Sequence, residues 1–229
     1  DYRQGISSHW SAVSKADQTP AELAAMRRQI QQAAIEREAE QREQWAVNEK
    51  RNVTLWESAQ PVKTGDVVHQ YLQARGLGDW SIPACIRVHA GLSYWHADDN
   101  GELHMLGRFP AMLAPIVSGG KLIAIHRTYL GDGCKANVPT PKKLTAAAGP
   151  MQGACIPLAA PRGGVLGIAE GIETAAAASL GSGLPVVAAY CANAMGGFFW
   201  PQGIERLVIF ADNDTAGQQA AAALAQRAD

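Results

Sequence analysis

Two short apolar runs, Val165-Leu166-Gly167-Ile168-Ala169 and Leu207-Val208-Ile209-Phe210-Ala211, constrain the fold of this chain more than any other feature. Neither alternates with polar residues, which suits strands covered on both faces of a parallel sheet. Around them the period predicts helix at Ile172 to Leu180, strand at Pro185 to Tyr190, a short helix near Asn193 and a helix from Thr215 to Arg227. Such alternation means an α/β fold with a parallel sheet and crossover helices, and ligands then bind beyond the carboxyl ends of the strands. Both runs end there in carboxylates, Glu170-Gly171 after the first and Asp212-Asn213-Asp214 after the second. An Asp-x-Asp at a strand end can present two hard carboxylate oxygens to one side, and Gly171 leaves room for a phosphate. Phosphoryl transfer needs little else from a protein than metal, a positioned nucleophile and cations. Glu170, Asp212 and Asp214 are therefore the candidate catalytic and metal-binding residues.

Upstream the chain reads differently. Thr19-Pro20-Ala21-Glu22 has the form of a capping box with Pro at the first helical position, opening a Gln-, Glu- and Arg-rich helix or helical pair that runs to about Trp56. Its apolar residues are too sparse for a broad core-facing stripe, so it is expected on the surface, as a linker or as an arm that touches nucleic acid or a partner. A short helix follows at Val67 to Arg75 with Gly76 as its left-handed cap, then strands at Ile86 to His89, Ala111 to Val117 and Leu122 to Leu130. The last two are joined at Ser118-Gly119-Gly120-Lys121, which has hairpin-turn composition. Three segments result: a helical arm or linker over 1–60, a smaller basic α+β subdomain over 61–160, and a catalytic subdomain over 161–229.

Charge is partitioned along the chain. Net charge is −1, yet between Arg75 and Lys143 eight Lys or Arg stand against five Asp or Glu, and from Leu144 onward three stand against six. A basic middle suits a polyanion, and an acidic final third suits cations. The four cysteines form no C-x-x-C pair and read as idle thiols rather than a zinc site or disulfide framework. No stretch approaches the roughly 20 apolar residues of a membrane span, and no basic-then-apolar leader opens the chain. A cytoplasmic protein is expected, and a chain that opens at Asp1 and stops at Asp229 reads as part of something longer. His89, His96 and His104 show no ligand spacing, His126 reads as a packing residue, and Asn193 is a candidate to line the site.

These motifs, in this order, resemble the TOPRIM-domain primases. In bacterial replicative primases a Glu-Gly motif follows one strand and an Asp-x-Asp-x-Ala-Gly motif another, which here match Glu170-Gly171 and Asp212 to Gly217. Gly107-Arg108-Phe109, Ile123-Ala124-Ile125-His126-Arg127 and Pro141-Lys142-Lys143 resemble the basic stretch that precedes them. Tyr71-Leu72, Arg75-Gly76-Leu77 and Glu170-Gly171-Ile172-Glu173-Thr174 look most like the TOPRIM primases of plasmids, conjugative elements and phages. The resemblance implies a general acid/base or metal-orienting role for Glu170, metal ligation by Asp212 and Asp214, and binding of template or nucleotide phosphates by Arg108, Arg127, Lys142 and Lys143. It also implies Mg²⁺ or Mn²⁺, a single-stranded DNA template, ribonucleoside triphosphates, and a helicase or other replication protein as partner. Where replicative primases carry Asp four residues after the glutamate, this chain has Thr174, with Glu173 beside it. Their further acidic pair would lie beyond Asp229, and the zinc module that precedes their core is absent here. The same acidic motifs serve TOPRIM nucleases, and the domain also fits a non-catalytic module that binds nucleic acid or a replication partner.

Overall fold

The computed structural model describes residues 19–228, so the first eighteen residues of the expected arm lie outside it. Of the described residues, those up to Gln44 and those from Trp45 belong to two separate compact units. Helix α1 (Pro20–Ser58) is one helix rather than a pair. It opens on the expected capping box: the Glu22 carboxylate accepts from the Thr19 N–H at 2.7 Å, and the Glu22 N–H donates to the Thr19 hydroxyl at 3.3 Å. Its buried residues are polar, Asn48 and Asn52.

Five antiparallel strands form one sheet in the order β1-β2-β3-β4-β5: β1 (Gln60–Pro61), β2 (Arg87–Ala97), β3 (Leu103–Ser118), β4 (Lys121–Tyr129) and β5 (Lys142–Leu144). Gly119 and Gly120, at φ 55° and 78°, make the tight β3–β4 turn, because a two-residue turn of this twist needs positive φ at both positions. β2 and β3 are longer than their sequence signal, β4 is offset from it by one residue, and β1 and β5 carry no strand signal of their own. Both faces of the sheet are covered. Met112, Ala114, Ala124 and Leu130 belong to the main core with Val68, Tyr71 and Leu72 of α2 (Val67–Ala74). Ala111, Leu113, Ile125 and Tyr129 pack on the other face with Ala59, Leu55 and Trp56. Apolar-in, polar-out alternation therefore fails on β4, where both sets of residues are enclosed.

The three parallel strands run in the order β7-β6-β8, with β6 (Val165–Ala169) between β7 (Val186–Ala188) and β8 (Arg206–Phe210). Helix α3 (Ile172–Ser182) lies on the main-core face through Ile172, Ala175 and Ala176. Short α4 (Ala192–Gly196) and α5 (Thr215–Ala228) cover the opposite face through Met195, Ala220 and Leu224. This is the expected α/β arrangement of a parallel sheet with crossover helices behind a long polar helix and an α+β part. Among the described residues no helix is long and apolar enough to cross a membrane.

Candidate functional site

Because Ala169 pairs with Phe210, the chain leaves β6 and β8 side by side, and Glu170 and Asp212 emerge at adjacent strand ends. Glu170 is half-buried and accepts a backbone hydrogen bond from Ala192. Burial, and then the neighbouring Asp212 carboxylate, hold its carboxyl above the ordinary range; Asp214 adds to this, while the Ala192 N–H and the Lys142 ammonium oppose it. Asp212 accepts from the Thr174 hydroxyl at 3.3 Å, and Asp214 caps α5 by accepting from the Gly217 N–H at 2.7 Å. The α5 backbone comes so close here that a Cβ on Gly217 would lie 2.5 Å from the Asp212 carbonyl oxygen. Three carboxylates offer the hard oxygen donors that a divalent cation such as Mg²⁺ or Mn²⁺ takes, and a positive charge beside Glu170 would offset the neighbouring carboxylate charges that hold its carboxyl up.

Among the described residues the one group with ligand atoms all within 4.8 Å of one another is elsewhere, Asp98, Glu102 and His104 at the β2–β3 turn. There His104 Nε2 lies 3.2 Å from Asp98 Oδ2, and Asp98 Oδ1 accepts the Asn100 and Glu102 N–H groups. This grouping went unseen in the sequence because the turn, not a regular spacing, creates it.

The four basic candidates separate. Lys142 and Lys143 are consecutive on β5, so their side chains leave opposite faces of the sheet. Lys142 Nζ lies 3.0 Å from Glu173 Oε2 and would lie 4.0 Å from a Cβ on Gly171, at the edge of the carboxylate group. Lys143 instead stands over the Tyr94 ring at 4.2 Å and donates to the Trp95 carbonyl. Arg127, opposite Lys143 in the register, donates to the Leu144 carbonyl at 2.5 Å and to the Tyr129 hydroxyl at 3.4 Å. Arg108 spends its guanidinium on the Gly91 carbonyl, at 2.8 and 3.1 Å. Lys142 alone of the four thus meets the acidic strand ends. Asn193 lines a cleft of about 770 Å³ beside them, shared with Tyr190, Gln152 and Gln219.

Glu173 does not stand in for the missing acid at Thr174. It is buried, 9% exposed, and faces the antiparallel sheet. The Tyr71 hydroxyl donates to it at 2.6 Å, Lys142 bonds its other oxygen, and Lys135, which the sequence did not single out, lies 3.9 Å away. Burial pushes the Glu173 carboxyl up, but Lys142 and the Tyr71 hydroxyl overcome this and bring it down to about 2. His126 and Thr128 are buried nearby, with His126 Nδ1 and Thr128 Oγ1 lacking a protein hydrogen bond. Burial, followed by Lys142, holds the His126 imidazole down to about 4, so it is neutral at pH 7. The four thiols are unpaired as expected, Cys134 and Cys191 exposed, and burial pushes those of Cys85 and Cys155 up to about 11.

Comparison with known families divides the chain in two. Residues 165–229 match the Toprim domain family, and residues 46–156 match a domain of unknown function (DUF7146). No curated protein matches significantly. Several solved structures are similar, among them three primase domains or fragments. The DnaG primase catalytic domain bound to ssDNA has a TM-score of 0.48 at 17% identity, over 80% of this chain and 67% of that one. The primase fragment of the bacteriophage T7 primase-helicase protein has a TM-score of 0.39 at 15% identity, over 69% and 55%. A DNA primase domain from Pseudomonas aeruginosa has a TM-score of 0.46 at 15% identity, over 77% and 65%.

Proposed function

We propose that the chain, whose residues 165–229 match the Toprim domain family, is the catalytic core of a DNA primase, making RNA primers on single-stranded DNA from ribonucleoside triphosphates. The observation that carries the reading is the meeting of opposite charges at one place: Glu170, Asp212 and Asp214 at adjacent strand ends, with Lys142 brought against them from the antiparallel sheet. Asp212 and Asp214 would hold Mg²⁺ or Mn²⁺ with Glu170, and the cation would supply charge to the reacting phosphates. Glu170, whose carboxyl is held above the ordinary range, is suited to take a proton from an attacking 3′-hydroxyl. Lys142 faces the triphosphate. Arg108, Arg127 and Lys143 contact the template backbone by charge rather than base edges, with Trp95 half-exposed beside them as a stacking surface. In this reading 61–160 guides template and nucleotide, 161–229 holds the chemistry, and 1–60 reaches toward a helicase or another replication partner.

The test is primer synthesis on single-stranded DNA with labelled ribonucleotides and Mg²⁺ or Mn²⁺, comparing the wild type with Asp212→Asn. Oligoribonucleotides made by the wild type and lost in the variant are expected. Cutting of the DNA without synthesis would replace primase by a TOPRIM nuclease. Neither activity, with DNA still bound, would make the chain a binding module.

A further inference from the structure

Two stretches of sequence that share no obvious chemistry, Tyr71 to Arg75 at the end of α2 and Ile172 to Thr174 on α3, meet at one buried carboxylate. Glu173 accepts from the Tyr71 hydroxyl at 2.6 Å across 102 positions of sequence, and its second oxygen holds Lys142 at 3.0 Å. Lys135 lies 3.9 Å from the first oxygen. Two ammonium groups, Lys135 and Lys142, share this one carboxylate; Arg75 is close enough to act on Tyr71 and on Lys135, and Lys142 also acts on Glu170. The polar atoms beside the group, His126 Nδ1 and Thr128 Oγ1, are enclosed without a protein hydrogen bond, which a buried group seldom tolerates unless something else meets it.

We propose that Glu173, fixed by Tyr71, is a positioning residue that holds the Lys142 and Lys135 ammonium groups at the edge of the Glu170 strand end, so that they meet the phosphates of a nucleotide. This deepens the primase reading and rests on it. A lysine has four rotatable bonds and loses much freedom when ordered. One buried carboxylate with one oxygen committed to Tyr71 orders Lys142 before any ligand arrives and, shared between two ammonium groups, leaves them N–H donors for a phosphate. Glu173 acts through the lysines and touches no reacting atom.

The experiment is titration of the full chain with Mg²⁺ and ATP by calorimetry, using Glu173→Gln, Tyr71→Phe, Lys142→Met and the double variant Glu173→Gln/Lys142→Met, each with a thermal melt. Glu173→Gln is expected to raise the Kd for ATP about tenfold, and Tyr71→Phe, which keeps the buried ring, about threefold. The double variant should bind no more weakly than Lys142→Met, because residues that act through one another are not additive. Primer synthesis by Glu173→Gln should show the loss in KM with kcat little changed. Additive effects, or unchanged affinity in Glu173→Gln and Tyr71→Phe, would overturn the positioning role while leaving the primase reading intact. Absence of ATP binding by the folded wild type would overturn the nucleotide reading and this proposal with it.

Discussion

At the scale of single residues, the acidic motif depends on one close approach. With Asp214 capping α5 and Gly217 packed against the Asp212 carbonyl, a methyl group at 217 has no space, since 2.5 Å is well inside van der Waals contact. Gly217→Ala should push the first turn of α5 off Asp212, cost about 1–3 kcal/mol, and weaken Mn²⁺ binding measured by calorimetry. If the variant binds Mn²⁺ as the wild type does, the close approach has no part in shaping the site. His126 gives a second prediction. Its imidazole is held down to about 4 in the fold against 6.5 outside it, with Lys142, Glu173, Arg127 and Lys135 around it. The unfolded chain therefore takes up a proton first as pH falls, so stability is full above about 6.5 and drains between about 6.5 and 4, by roughly 3 kcal/mol in all. Glu173, held down to about 2 from 4.5, adds a loss that starts below about 4.5. Melting temperature against pH should show both stages, and His126→Gln should remove the upper one alone. That Glu170 and Asp212 stand just past adjacent strand ends was legible in the sequence, because each follows a short apolar run. The separate roles of Glu173 and Thr174 were not, although one residue along a helix turns the side chain by about 100°, which is what sends Thr174 to Asp212 and Glu173 to the antiparallel sheet.

At the scale of elements, β6 and β8 were readable to within a residue, since a continuous apolar run has few other uses in a chain of this kind. Strand β5 was not, because Lys142-Lys143-Leu144 has no strand signal of its own and becomes a strand only by pairing with β4. The same is true of how α1 attaches. Its apolar residues looked too few for a core-facing helix, and the attachment is in fact made partly by amides. Asn52 Nδ2 donates to the Ala146 and Ile123 carbonyls at 3.1 and 3.3 Å, and Asn48 Nδ2 to the Ala147 carbonyl at 2.8 Å. Two asparagines one turn apart leave no hydrophobic stripe in the sequence. Asn52→Ala would remove the side-chain donor to the Ala146 carbonyl and one of the two donors to the Ile123 carbonyl, which also accepts the Ala148 N–H, and should cost about 1 kcal/mol in urea unfolding. Thr19→Ala, which removes an exposed cap, should fray the start of α1 and leave that urea midpoint unchanged. Equal midpoints for Asn52→Ala and wild type would show that Leu55, Trp56 and Ala59 suffice to hold the helix.

At the scale of the whole molecule, the question is whether the antiparallel and parallel sheets are two folding units or one. Sequence suggests a boundary near 160, where the period changes. Hydrogen bonding crosses it. The segment Cys155-Ile156 exchanges two bonds with Val117 at the end of β3, at 2.8 and 3.0 Å, and two with Ala188 at the end of β7, at 2.7 and 3.1 Å. The main core likewise takes side chains from β3, β4, α2, α3, β6 and β7 together, and the Tyr71–Glu173 bond ties α2 to α3 inside it. Neither sheet can expose that shared face to water without losing a large part of its apolar burial, so the unit from Trp45 onward should unfold in one transition. Urea curves followed by circular dichroism, by Trp80 fluorescence in a variant lacking the other tryptophans, and by Trp200 fluorescence in its counterpart should coincide. Ile156→Pro removes the N–H that meets the Ala188 carbonyl, and its ring crowds the bridge. If the bridge supplies the coupling, the Trp80 and Trp200 curves of that variant separate; if the shared core supplies it, they move together to lower urea. Separation in the wild type itself would mean that the acidic strand ends and Lys142 sit on bodies that part independently, and a site assembled from both would then need its ligand to bring them together.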